Sequence, residues 1–163
     1  PYRHSRGLVV LELFDYERIF DFFDLYDLSN IEPFTLVIVH GFSLYEFRWD
    51  GSDRHIRHLP FDQPRIWSSA TLYKEQVIRR RETWFKEWMD DHNHPDPGEI
   101  LSFHQFAGEG DKNTDLVMER GALALRTLSI TSIRMSDEDC HMHYDDLVSD
   151  QKHVKWMSHR ERT

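Results

Sequence analysis

The chain has 163 residues, 20 of them Lys or Arg and 29 Asp or Glu, for a formal charge of −9 and a mean hydropathy of −0.65. That acidity argues against a nucleic-acid-binding module that works by neutralising phosphates, and an aromatic content of 13% argues against a disordered chain. No apolar run approaches the roughly 18 residues of a membrane span, and the single cysteine, Cys140, leaves no internal disulfide and fits a reducing compartment, so a single cytoplasmic α+β domain over residues 1–163, with no cofactor, no nucleic-acid partner and no membrane span, is the expectation.

Pro1 stands where an initiator methionine would, which points to a processed, truncated or fragmentary chain. A free terminal proline could also serve as a base, because an α-amine titrates at about 7.7 to 8.0. Tyr2 to Arg6 bring no apolar strand directly after it, and truncation is the better reading.

The run Leu8 to Phe14 is apolar but too short for its period to decide between strand and helix. Asp15 has the chemistry of an N-cap for a helix over 16–26, whose apolar face would be Ile19, Phe20, Phe22, Phe23 and Tyr26. Residues 5–27 are therefore read as two consecutive helices, ended by the turn residues Ser29, Asn30 and Pro33.

The clearest sheet signal follows. Residues 35–39 are a β-branched apolar run, His40 and Gly41 supply a turn, and residues 44–49 alternate apolar with polar side chains. Asp50 and Gly51 form a second turn before a third strand over 55–59. The result is a three-stranded antiparallel meander, with Tyr45, Phe47 and Trp49 on one face as core packing and Leu44, Glu46 and Arg48 on the other.

From Tyr73 to Met89 the spacing predicts a helix with Val77, Ile78, Trp84, Phe85, Trp88 and Met89 along one stripe and Arg81 among them. The aromatic stripe is expected to pack on a sheet. Glu75 to Arg79 and Glu82 to Lys86 are acid-before-base pairs, each worth roughly 0.2–0.5 kcal/mol. The Arg79–Arg80–Arg81 run reads as a balanced solvated face rather than a phosphate site. Asp96, Pro97 and Glu99 then spell a capping box with proline at the first helical position, opening a helix through Ile100, Leu101, Phe103, Phe106 and Ala107. His104, on its less apolar side, is expected in solvent. Gly108 to Asp111 is a glycine-rich turn without the Lys-Ser/Thr ending of a phosphate loop, and residues 116–118 read as a short strand or as coil.

Thr127 to Met135 alternates as a half-buried strand with a hydroxyl-lined face, turned by 137–139 and returned by Cys140 to Tyr144. The end, 152–163, either docks as a short helix or stays frayed. Among eleven histidines, His141 and His143 share a strand face with Cys140 pointing away, and His92 and His94 share a loop. Structural zinc needs four converging ligands, and no metal site is expected.

Seven stretches, Ser5–Tyr16, Ile31–Val39, Leu44–Gly51, Ile66–Tyr73, Trp84–Trp88, Phe106–Asp111 and Leu128–Ile133, follow one another as in bacterial members of the NRDE family, related to the transport-and-Golgi-organisation proteins. IWSSATLY ahead of a helix containing Trp84-Phe85 is the most specific of them, and the resemblance covers all but the last dozen residues. That family is similar to N-terminal-nucleophile (Ntn) hydrolases. The resemblance implies an αββα sandwich, two antiparallel sheets packed between helices, in which a cysteine at the mature N-terminus attacks an amide.

Neither that cysteine nor the Asn-Arg-Asp-Glu motif occurs in these residues, so the chain resembles the C-terminal two-thirds of such a protein, without the N-terminal catalytic strands. Cys140 cannot replace the nucleophile, having no free amine beside it to act as base. On this resemblance Ser69 stands where the family often places an oxyanion-stabilising Asn, Trp67 and Ser68 flank it as substrate-binding positions, and Thr127 and Ser129 border the same cleft. Two functions are expected. The first is an amide hydrolase whose partner is its own missing N-terminal segment, the present chain being inactive alone; the second is a non-catalytic binding or trafficking protein with a small-molecule ligand.

Overall fold

The computed structural model describes residues 2–69, 71–121, 125–136 and 139–157 of the 163. Among them are four α-helices and three small antiparallel sheets, an α+β chain. Its contacts divide it into two units, 1–78 and 79–163.

The first unit opens with α1 (Arg6–Glu12), a 3-10 turn (Leu13–Asp15) and α2 (Ile19–Leu25). Two helices replace the ambiguous apolar run, but Asp15 is not the N-cap. It ends the 3-10 turn, and α2 begins three residues later than expected, with Arg18 at the cap position and no side-chain capping bond. The C-terminus of α2 is held instead by Arg54, whose guanidinium donates to the carbonyls of Phe23 (2.6 Å), Asp24 (2.6 Å) and Tyr26 (3.3 Å). A cation there satisfies the orphan carbonyls and complements the helix dipole.

The meander forms as its alternation requires: β1 (Phe34–His40), β2 (Ser43–Trp49) and β3 (Arg54–Leu59) pair antiparallel in chain order, with Phe47 opposite Leu36 and Ile56. Gly41 (φ 60°) permits the two-residue link to β2, and the Asp50 carboxylate accepts from the backbone N–H groups of Ser52 and Asp53 to close the next turn. Phe47 is fully buried and lies parallel to Phe23 at 5.5 Å, in a core with Val9, Ile19, Phe22, Tyr26, Leu28, Ile31 and Phe34. Each fully buried side chain of this size contributes roughly 1.5–3 kcal/mol, so the aromatic strand face is core.

The boundary between units falls within α3 (Glu75–Asp91). In the second unit the aromatic stripe of α3 finds its ring partner on a helix rather than the expected sheet: Phe85 and Trp88 meet Phe103 of α4 (Pro97–Phe106) at 5.6 and 5.0 Å. The capping box is complete. The Asp96 carboxylate accepts from the N–H groups of Gly98 (2.7 Å) and Glu99 (2.9 Å), and Glu99 reaches back to the N–H of Asp96 (2.7 Å).

Arg81 departs from the solvated face expected of it. It is 5% exposed, and its guanidinium donates to the carbonyls of Thr114 (3.0 Å) and Asp115 (2.6 Å) in the turn after α4. Residues 116–118 are coil, leading to the short pair β4 (Glu119–Arg120) and β5 (Leu125–Arg126). The last sheet has three strands, β6 (Ser129–Met135), β7 (Cys140–Asp146) and β8 (Gln151–Met157). β8 corrects the expected short helix or frayed end over 152–157. Its backbone pairs with β7 along seven positions, although all seven of its residues are exposed. The rest of that expected tail, 158–163, lies outside the described residues, as do 137 and 138 of the expected turn.

Candidate functional site

Within the first unit α1, the edge strand β1 and the loop over 67–69 enclose a cleft of about 440 Å³. Its apolar wall is Val10, Phe34, Leu36, Val37 and Trp67, and its polar groups include Arg6, Thr35, Ser68 and Ser69. Each side has a local cause. β1 is at the margin of its sheet among the described residues, so its β-branched run presents a free backbone edge. The loop is fastened at both ends. Trp67 Nε1 donates to a carboxylate oxygen of Glu46 on the outer face of β2 at 2.8 Å, and the Arg6 guanidinium of α1 donates to Thr71 Oγ1 at 2.8 Å. Arg6 also pairs with Glu32 at 3.3 Å and Glu46 with Arg57 at 3.4 Å.

The three residues singled out in this loop, Trp67, Ser68 and Ser69, thus all line one cleft. Thr127 and Ser129 belong to the second unit. There Thr127 lies just before β6, with its hydroxyl oxygen accepting from the N–H of Met118 (3.0 Å) and donating to the carbonyl of Leu116 (3.4 Å), which fixes the coil ahead of β4. Ser129 opens β6 opposite Asp146. Arg6, Thr35 and Glu46 were not singled out from sequence. The only available signal was Glu46, an acid in the middle of a strand on the face opposite the aromatics.

Chemically, the described lining offers hydroxyls, one guanidinium, an apolar wall and the unpaired edge of a strand, and it includes no His, Cys, Asp or Glu. Such a cleft can hold and orient an extended, partly apolar molecule.

His141 and His143 rings are 5.0 Å apart and His141 packs on Trp156 at 4.6 Å, yet no three His, Cys, Asp or Glu side chains among the described residues converge to hold an ion. His92 turns its Nδ1 to the carbonyl of Trp88 at 2.8 Å. His104 is exposed as expected, edge-on to Phe103, and partial desolvation beside that ring lowers its pKa from the ordinary value. No helix among the described residues is long and apolar enough to cross a membrane.

No family model, curated protein or solved structure matches the chain.

Proposed function

We propose that the chain is the larger part of an NRDE-like, Ntn-hydrolase-like protein of αββα design, acting in the cytoplasm as an amide (C–N) hydrolase. Its nucleophile is an N-terminal cysteine on a segment upstream of Pro1. The observation that carries this reading is the cleft itself: the loop holding Ser68 and Ser69 faces the free edge of β1, where an added strand would complete the sheet and bring its first residue beside those hydroxyls. Ser69 then supports the oxyanion, Ser68 and Trp67 contact the acyl portion of the substrate, and the incoming α-amine serves as base. The absence of any His, Cys or carboxylate from the described lining fits this division of labour.

A second reading is favoured by the apolar wall of Val10, Phe34, Leu36 and Trp67, which suits a hydrophobic small molecule held without turnover. The test is the protein expressed from its complete reading frame. A mature N-terminal cysteine, amide turnover that its replacement by Ala abolishes, and no turnover by the 163-residue chain alone support the hydrolase. A different terminal residue, with ligand binding that Trp67→Ala weakens, supports the binding protein. Amide hydrolysis by the 163-residue chain after alkylation of Cys140 would contradict both and return attention to Pro1.

A further inference from the structure

The register of the second unit's last sheet brings three sulfur-bearing side chains into one row. In an antiparallel sheet directly paired residues project to the same side, with Cβ atoms roughly 4.5–5.5 Å apart. Cys140, the first residue of β7, pairs with Met135 on β6 and with Met157 on β8, so a thiol lies between two thioethers in one row across three strands. Met142, two residues along β7, projects to the same face, in the next row between Ile133 and Lys155. Three of the five methionines of the chain thereby surround its only cysteine. The opposite face carries His141, His143, Asp145, Arg134 and Lys152, and on the sulfur face His153 and Asp146 lie farther along the strands, away from the Cys140 row.

Packing alone would be served by Leu, Ile or Val in this row, whereas all three of its paired positions bear sulfur. Met135 is 58% exposed and Met157 36%, and Cys140 is half-buried, so the row is open to an ion from solvent. Methionine has three rotatable bonds and a polarisable sulfur, which lets the two flanking side chains lean toward the shorter thiol between them.

We propose that Met135, Cys140 and Met157, with Met142 beside them, form a binding site for a soft monovalent cation, Cu(I). Thiolate and thioether donors select Cu(I) over harder ions. The charge agrees. One thiolate and one Cu(I) sum to zero, and the thioethers add nothing, whereas a divalent ion would leave a net positive charge close to the cationic Lys155. On binding, the Cys140 S–H bond breaks, an S–Cu bond forms and the proton leaves to solvent, with no change in oxidation state.

The test is titration of the 163-residue chain with Cu(I) under anaerobic reducing conditions, in competition with a Cu(I)-specific chelator, with Ag(I) as a redox-inert second probe. The expected result is one Cu(I) per chain, lost in Cys140→Ser. The Met135→Leu/Met157→Leu double variant, with Cys140 intact, is expected to bind at least roughly tenfold more weakly, the scale of losing soft ligands. Met to Leu conserves volume, and an unchanged far-ultraviolet circular dichroism spectrum confirms that the variants fold. Equal affinity in the double variant would show an adventitious thiolate complex and overturn the proposal, as would absence of binding or one ion bridging two chains through Cys140 alone.

Discussion

Arg81 donates to the backbone carbonyl of Asp115 at 2.6 Å from a position 5% exposed, which makes a buried cation on α3 the clasp of the turn after α4. The same guanidinium takes the Thr114 carbonyl at 3.0 Å, a two-point grip that its planar fork provides and an ammonium does not. Arg81→Lys should therefore cost roughly 1.5–3 kcal/mol, the range for hydrogen bonds to a charged group. The cost should appear in urea denaturation as a lower midpoint with little change in slope. Glu87→Gln, at an exposed position of the same helix, should leave the midpoint within about 0.5 kcal/mol, as surface substitutions do.

Phe47 is the centre of the first unit's core, fully buried and in ring contact with Phe22, Phe23 and Phe34. Phe47→Ala should cost about 3–5 kcal/mol through lost burial and the cavity left behind, and Phe47→Leu distinctly less. Chemical denaturation of the two variants side by side checks the order as well as the size.

Gly108 stands where a side chain has no room. A Cβ there would overlap the Asp115 carboxylate, whose Oδ1 accepts from the N–H of Glu109 at 2.9 Å, and its φ of 155° is one that L residues rarely adopt. Gly108→Ala should destabilise by about 1–3 kcal/mol, the scale of local backbone strain. Gly121→Ala, with open space around its Cβ, should not share that cost. Melting temperatures of the two variants provide the comparison.

Four turn carboxylates contribute to the acid limb of stability, and the first, Asp27, is held low by the hydroxyl and N–H of Ser29. Asp50 is held below the ordinary carboxylate range by the N–H of Asp53, then by His55 and the N–H of Ser52. Asp111 is held low by the backbone and side chain of Asn113 and by Thr114, and Asp146 by the N–H groups of Ser149 and Val148. A depressed folded value means the contribution is complete above the unfolded carboxylate value, about 3.9, and is lost as pH falls through the folded values. Melting temperature should drop below about pH 4, and Asp50→Asn, which keeps an acceptor for the turn, should flatten that dependence. At the alkaline end Tyr26 behaves oppositely. Burial, and then its bond to Glu12, raise its hydroxyl pKa. Its contribution is complete below about pH 10 and is lost as pH rises through the folded value.

What the sequence made legible is what local chemistry decides. The meander follows from a β-branched run, an alternating run and the Asp50-Gly51 turn, and the start of α4 from Asp96, Pro97 and Glu99, because these signals act within a few residues. Arg81 was misread because three arginines in a row look solvated. Its place on the apolar stripe was visible, but the carbonyls it serves are more than thirty residues away. β8 was missed because its partner is a backbone ladder, which leaves little mark on the residues 151–157. Trp67, Ser68 and Ser69 were singled out by resemblance, whereas Arg6, Val10 and Val37, in two other stretches of the same resemblance, received no role because only the folded chain brings them to the loop.

The outermost strand of the last sheet is held mainly by its backbone ladder with β7, helped by a few side-chain contacts, Trp156 on the His141 ring at 4.6 Å and Lys152 with Asp145 at 3.5 Å. It is therefore the part of that sheet whose amide protons should exchange with deuterated solvent soonest. Peeling it away exposes the far margin of β7 and takes Trp156 off the buried His141 ring.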